Sequence, residues 1–264
     1  MDKVQMNGQV AIVTGAARGI GAGIALELAT RGMSVALMGR TKDSLEESAE
    51  VIRSRTAAQV SVHPGDVTDE GSVEAVIDAV LRRHARIDVL VNNAGIVDQA
   101  PFLDIGLPGW SAVIATNLTG VFLMTQRVAR RMRATGGGSV VNIASIDAYG
   151  TDGPQASYTA AKAGVVGLTK AAATELAPIK VRVNSVSPGW VHTKMVEEFV
   201  SVDAMRYMLG QFARVPMQRL VKIEEVARAV AFLAGPDSSA ITGIDVPVDC
   251  GTLSNLFVFE TLPT

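Results

Sequence analysis

Short apolar runs and longer amphipathic stretches alternate along this chain. Runs such as Val10-Ala11-Ile12-Val13, Val89-Leu90-Val91 and Val140-Val141-Asn142-Ile143 are too short for helices, and turn residues bound them. Near-continuous apolar character over four to six positions is the pattern of strands buried on both faces. On this basis strands are predicted near 9–14, 34–39, 59–65, 87–92, 138–144, 180–186 and 244–248. Helical periodicity fills the intervals near 19–31, 42–55, 70–84, 109–133, 156–177 and 223–234. Strand and helix in alternation imply parallel strands joined by right-handed crossovers. The fold class is therefore α/β, a doubly wound parallel sheet of about seven strands with helices on both faces. No linker or charge block divides the chain, so residues 1–264 read as one domain.

Where the first strand ends, Thr14-Gly15-Ala16-Ala17-Arg18-Gly19-Ile20-Gly21 forms a loop almost without side chains, and a helix follows from Ile20 to Thr30. Glycines here permit a tight turn, close approach of backbone to a pyrophosphate and packing of helix on sheet. The helix start offers unpaired N–H groups and a positive dipole end to phosphate. The arrangement predicts a Rossmann-type dinucleotide site. Its ligands lie outside the carboxyl ends of the strands, and Asn92, Ser145 and Pro188 each close a predicted strand there.

The glycines run G-x-x-x-G-x-G, unlike the G-x-G-x-x-G of most dinucleotide folds. That spacing resembles the fingerprint of the short-chain dehydrogenase/reductase family. Further matches follow in the family's order: Asn92-Asn93-Ala94-Gly95, Asn117, Ser145, Tyr158 with Lys162, and Pro188-Gly189 followed by Thr193. The likeness spans about residues 8 to 251. It implies hydride transfer between a nicotinamide cofactor and a carbonyl or secondary alcohol. By resemblance, Ser145 orients the substrate oxygen and Tyr158 is the acid/base. Lys162 lowers the tyrosine pKa and binds the nicotinamide ribose, and Asn117 supports the proton relay. The implied cofactor contacts are Gly15, Arg18, Gly19, Ile20, Gly21, Arg40, Asp66, Val67, Asn93, Ala94, Gly95, Tyr158, Lys162, Pro188, Gly189 and Thr193. Asp66 and Val67 resemble the pair that contacts adenine, and Asn93 to Gly95 the floor under its ribose. The chain departs from the family at Asp249-Cys250-Gly251, where Asp-Gly-Gly is frequent.

The residues support this chemistry on their own terms. Tyr158 and Lys162 stand four apart in a helical pattern and share one face. A free tyrosine titrates near 10, badly matched to neutral acid–base work. An ammonium about 4 Å away would contribute roughly 4 kcal/mol at an effective dielectric of about 20. At about 1.4 kcal/mol per unit, the phenol is expected to fall roughly three units, toward 7.

Cofactor choice turns on the end of the second strand, where an acid grips the ribose 2′-OH of NAD. Gly39 occupies that position and Arg40 follows it. Arg40 can pair with a 2′-phosphate, and Arg18 in the glycine loop can approach the same group. The pattern favours NADP(H), with NAD(H) as the alternative. Residues 190–215 fall where family members carry a mobile substrate lid, and Trp190, Asp147 and Tyr149 are candidate substrate contacts. The substrate itself stays open among polar-headed alcohols, ketones, sugars and sterols.

Composition narrows the partners. A net charge of −2 with scattered basic residues gives no reason to expect nucleic acid or an anionic membrane. Residues 105–126 carry no formal charge, but Gly106, Pro108, Gly109, Asn117 and Gly120 interrupt them, and a membrane span is not expected. A lone cysteine, Cys250, fits a reducing cytoplasm. His63, His84 and His192 lack paired-ligand spacing, so no metal is expected. The small residues of the Tyr158 helix and the apolar tail Leu253–Thr264 point to a homotetramer, with a homodimer as the alternative. The competing reading is a nucleotide-binding regulatory protein without turnover, which leaves the tyrosine–lysine pair without a purpose.

Overall fold

The computed structural model describes residues 4–210 and 212–255, apart from the side chains of Met195, Glu198 and Phe199. Most of the apolar tail, including Leu256 to Phe259, lies outside the described residues. Seven strands form one parallel sheet in the order β3-β2-β1-β4-β5-β6-β7. They are β1 (Val10–Thr14), β2 (Ser34–Gly39), β3 (Val60–Pro64), β4 (Val89–Asn92), β5 (Gly138–Ile143), β6 (Val181–Pro188) and β7 (Asp245–Val248). The order reverses between β1 and β4, which opens a crevice at their carboxyl ends.

Helices cover both faces. On one, α1 (Gly19–Thr30), α2 (Lys42–Arg55) and α9 (Ile223–Ala234) bury Ile24, Leu28, Leu45, Ile52, Val226 and Val230 against the sheet. On the other, α3 (Glu70–His84) and α5 (Gly120–Ala134) bury Val73, Ile77, Val80, Met124, Val128 and Met132. On that same face α6 (Ala156–Leu176) adds Ala173. Asp69 caps α3 by accepting from Ser72 N at 2.6 Å.

The helix expected over 109–133 is divided. It comprises α4 (Leu107–Ile114), one wider π turn (Ala115–Thr119) and α5. The turn holds Asn117, which is fully buried and bonds outside its own helix. The whole stretch, Leu107–Ala134, is long and apolar enough to cross a membrane by length and composition. Here α5 turns Val121, Met124, Val128 and Met132 inward, as a core helix does. The irregular region after β6 carries two short helices, α7 (Lys194–Phe199) and α8 (Val202–Gly210).

Candidate active site

A cleft of about 950 Å³ runs along the carboxyl edge of the sheet, from the glycine loop past Asp66 and Asn93 to Tyr158, Lys162 and Thr193. The turn after β1 shapes one end. Gly15 and Gly19 adopt φ of +63° and +58°, a region L side chains disfavour. A Cβ on Gly21 would overlap the Gly15 carbonyl oxygen and Asn93 Nδ2. Arg18, the residue before α1, makes no side-chain capping bond to the first turn. Asn93 Nδ2 donates to the Thr14 and Gly15 carbonyls at 3.0 and 3.1 Å, while Thr14 Oγ1 accepts from Asn93 N and Ala94 N, both at 3.0 Å. These bonds lace the end of β1 to that of β4. The result is a main-chain cradle that a methyl group would fill, as a pyrophosphate site requires.

Arg18, Gly39 and Arg40 all line the cleft, and both arginines are exposed. Asp66 Oδ1 accepts from Thr68 N at 2.8 Å and Thr68 Oγ1 at 2.7 Å. Those bonds hold the carboxyl below its usual range, with a smaller contribution from the Arg40 guanidinium.

The other end is built from side chains. Ser145 follows β5, and its Oγ donates to Asp147 Oδ2 at 2.9 Å while accepting from Asp147 N at 3.1 Å. Tyr158 and Lys162 rise from the first turns of α6, with Lys162 Nζ 5.4 Å from the tyrosine ring centroid. Lys162 Nζ donates to the Ile143 carbonyl at 2.7 Å. Burial pushes the ammonium down to about 8, opposed by the Asp147 carboxylate. The phenol is pushed up, first by burial and then by Asp147, while a bond with Ser145 pulls it down. This corrects the expected fall toward 7. The lysine lies over the ring face and spends a proton on Ile143, and an unforeseen carboxylate faces the phenol.

Asn117 does not open its amide to the cleft. Oδ1 accepts from Ile96 N at 2.8 Å and Nδ2 donates to Ile96 O at 2.9 Å, so the side chain anchors the cleft wall. Pro188, Gly189, Trp190 and Thr193 line the cleft as the sequence suggested, together with Ile20, Val67, Ala94 and Gly95. Thr193 also caps α7, accepting from Val196 N at 3.4 Å. Tyr149 turns away from the pocket expected for it. Its exposed hydroxyl donates to Asp245 Oδ2 at 2.8 Å, which with burial raises the phenol to about 12. At the departure from Asp-Gly-Gly, Cys250 takes φ +56°, the region glycine favours.

Asp152 and Gln155 are among the cleft residues that sequence reasoning missed. Gln155 Nε2 donates to Asp152 Oδ1 at 2.7 Å and Asp147 Oδ1 at 3.2 Å. Burial and Asp147 together push Asp152 up to about 6. The available signal was Asp152-Gly153-Pro154-Gln155, a turn carrying two polar groups immediately before the Tyr158 helix.

A strand-edge cleft with a glycine cradle at one end and a serine, tyrosine and lysine at the other defines a dinucleotide-dependent oxidoreductase, and comparisons with known proteins agree. A family model described as "Enoyl-(Acyl carrier protein) reductase" matches residues 15–252. The 3-oxoacyl-(acyl-carrier-protein) reductase FabG of Thermotoga maritima is 39% identical over 252 residues, covering 94% of this chain and 99% of that protein. A short-chain type dehydrogenase/reductase from Mycobacterium marinum superposes with a TM-score of 0.89 at 36% identity, covering 95% of this chain and 98% of its own. A gluconate 5-dehydrogenase from Burkholderia cenocepacia, solved with NADP and tartrate, has a TM-score of 0.89 at 31% identity, covering 96% and 98%. The chain belongs to the short-chain dehydrogenase/reductase family. It is an NAD(P)-dependent oxidoreductase acting on CH–OH or C=O groups.

Proposed function

We propose that this enzyme reduces a carbonyl, or oxidises the matching secondary alcohol, with NADP(H) as the preferred cofactor. The observation that carries the reading is the convergence of Ser145, Tyr158 and Lys162 at one end of a cleft whose other end is a glycine cradle. When bound, the cofactor supplies or accepts the hydride. Gly15, Gly19, Ile20 and Gly21 would hold its pyrophosphate, and Asp66, Val67 and Asn93 to Gly95 its adenosine. Pro188, Gly189 and Thr193 would hold the nicotinamide half, together with Lys162. Tyr158 delivers a proton to the forming alkoxide, and Ser145 donates a hydrogen bond to the same oxygen. Asn117 acts at a distance by fixing Ile96.

The preference for the 2′-phosphate rests on exposed Arg18 and Arg40 in the cleft lining and on Gly39, which presents no carboxylate to repel it. That the Burkholderia relative was solved with NADP supports the same choice. NAD(H) is the second reading. Residues 1–264 serve as one catalytic domain, with 190–215 as a cover over the substrate end. Trp190 and Asp147 line that end. Exposed Leu103, Leu107 and Phe122, at or near α4 and α5, favour a homotetramer, or a homodimer, which light scattering would report. The lone Cys250 favours a cytoplasmic setting.

The test is NADPH oxidation followed by absorbance with 3-oxoacyl thioesters, oxidised sugar acids and cyclic ketones, and NADP reduction with gluconate and other polyols. Turnover with at least one class is expected. A folded enzyme that binds NADPH but turns over none of them would favour the regulatory reading.

A further inference from the structure

We propose that Asp147 is a positioning residue for carbonyl reduction: protonated, it directs the Ser145 hydroxyl toward the reacting oxygen, and ionised, it takes that hydroxyl's proton for itself. The inference rests on the roles given above to Ser145 and Tyr158.

The argument is a count of protons. A serine hydroxyl carries one proton and accepts through two lone pairs. Ser145 Oγ meets Asp147 N at 3.1 Å and Asp147 Oδ2 at 2.9 Å, and it stands close enough to the Tyr158 hydroxyl to draw that phenol's pKa down. Asp147 N can only donate, so it fills one lone pair. If Asp147 is a carboxylate, the serine proton goes to Oδ2, and the remaining lone pair attracts the tyrosine proton. Both donors then point inward, and a carbonyl oxygen entering the cleft finds neither. If Asp147 is a carboxylic acid, its own proton fills the second lone pair. The serine proton is then free, the tyrosine proton has no acceptor on the serine, and both turn to the substrate oxygen. Only the second arrangement keeps the 2.9 Å contact and leaves Ser145 a donor.

The fold supplies a means of keeping that proton. Asp147 is 8% exposed, and its carboxyl shares the Gln155 amide with that of Asp152. Two buried carboxyls this close resist ionising together, so one keeps its proton, and on Asp147 that proton sits at Oδ2, the oxygen 2.9 Å from Ser145 Oγ. Gln155 Nε2 bridges the pair from the turn before α6. Burial raises both acids, Asp152 to about 6. The other ionisable groups acting on Asp147 are Tyr158 and Lys162, both from α6. The sign follows: reduction is fastest while the pair keeps its proton and slows as pH rises through its titration.

The experiment measures kcat and KM for carbonyl reduction against pH in the wild type, Asp147→Asn and Asp147→Ala, with melting curves to confirm folding. The wild type should lose kcat progressively as pH rises through the titration of the pair, which lies above the ordinary aspartate range. Asp147→Asn presents a permanent NH donor to Ser145, so its profile should stay flat until the Lys162 range near 8. Asp147→Ala should lower kcat at least about tenfold at the low pH where the wild-type pair keeps its proton, with KM little changed. An Asp147→Asn profile that keeps the wild-type fall, or an Asp147→Ala enzyme with unchanged kcat, overturns the inference. A second readout needs no turnover. In ¹³C-aspartate-labelled wild type, the carboxyl resonance lost in Asp147→Asn should titrate above the ordinary aspartate range and move in Ser145→Ala. Titration near the ordinary value of about 4 overturns the inference. Absence of any turnover in the wild type would instead count against the proposed function.

Discussion

The two ends of the cleft are built by opposite means. At the glycine loop, atoms are crowded until only main chain fits, and the bonds of Thr14 and Asn93 are already in place. At the reacting end, side chains hold one another: Lys162 is bonded to Ile143, Ser145 to Asp147, and Gln155 to two carboxyls. The first end is fixed by sterics and indifferent to pH. The second is a set of competing hydrogen bonds whose donors are redirected as charges change. A site of this kind recognises its cofactor by shape and treats its substrate by exchange of partners.

The comparison can be broken most severely at the reacting end. Tyr158→Phe removes the transferable proton without changing volume, so kcat should fall at least about a hundredfold. The melting temperature and NADPH binding should stay near wild type. Near-normal turnover would show that Tyr158 is not the acid. Gly21→Ala attacks the other end. The added methyl meets main chain that cannot yield, and overpacking of this sort costs about 1–3 kcal/mol. Thermal melts should shift down and NADPH titration should weaken, at any pH. Wild-type affinity in that variant would mean crowding does not shape the loop.

Smaller effects sharpen the boundary between the two ends. A charge-assisted bond is worth about 1.5–3 kcal/mol, and solvent reduces this for the exposed Arg40. Calorimetry on Arg40→Ala should therefore find the preference for NADPH over NADH narrowed by about tenfold. Gly39→Asp should reverse the preference; the atom nearest to a Cβ there is Leu45 Cδ2, at 3.3 Å, which needs to give by a few tenths of an ångström. Tighter NADH than NADPH binding by the wild type would remove both arginines from the argument. Asp69→Ala, a helix cap away from the chemistry, should cost about 1 kcal/mol in denaturant unfolding with kcat and KM unchanged. A kinetic effect there would show that the ends are coupled through α3.

How much of this the sequence discloses follows the same division. The glycine loop, the seven strands and the tyrosine–lysine pair are legible because local rules fix them: apolar runs, turn residues, and a spacing of four on a helix. The π turn over Ala115–Thr119 is not legible, since a bond from Asn117 to the distant Ile96 accompanies it. Nor is the direction of the Tyr158 shift. The spacing to Lys162 is written in the chain, but the approach of Asp147 and the turn of the ammonium toward Ile143 arise only when β5 and α6 pack. Tyr149 fails as a pocket residue for a like reason: Asp245, 96 positions away, offers its hydroxyl an acceptor.

The lacing of Thr14 to Asn93 and Ala94 joins residues 79 and 80 positions apart. Contacts so remote in sequence close late, because a long loop must lose its freedom before they form. The nucleotide pocket is therefore expected to form late in folding. During refolding, the fluorescence of bound NADPH would act as a clock for the last stage of assembly, running behind any signal from helix formation.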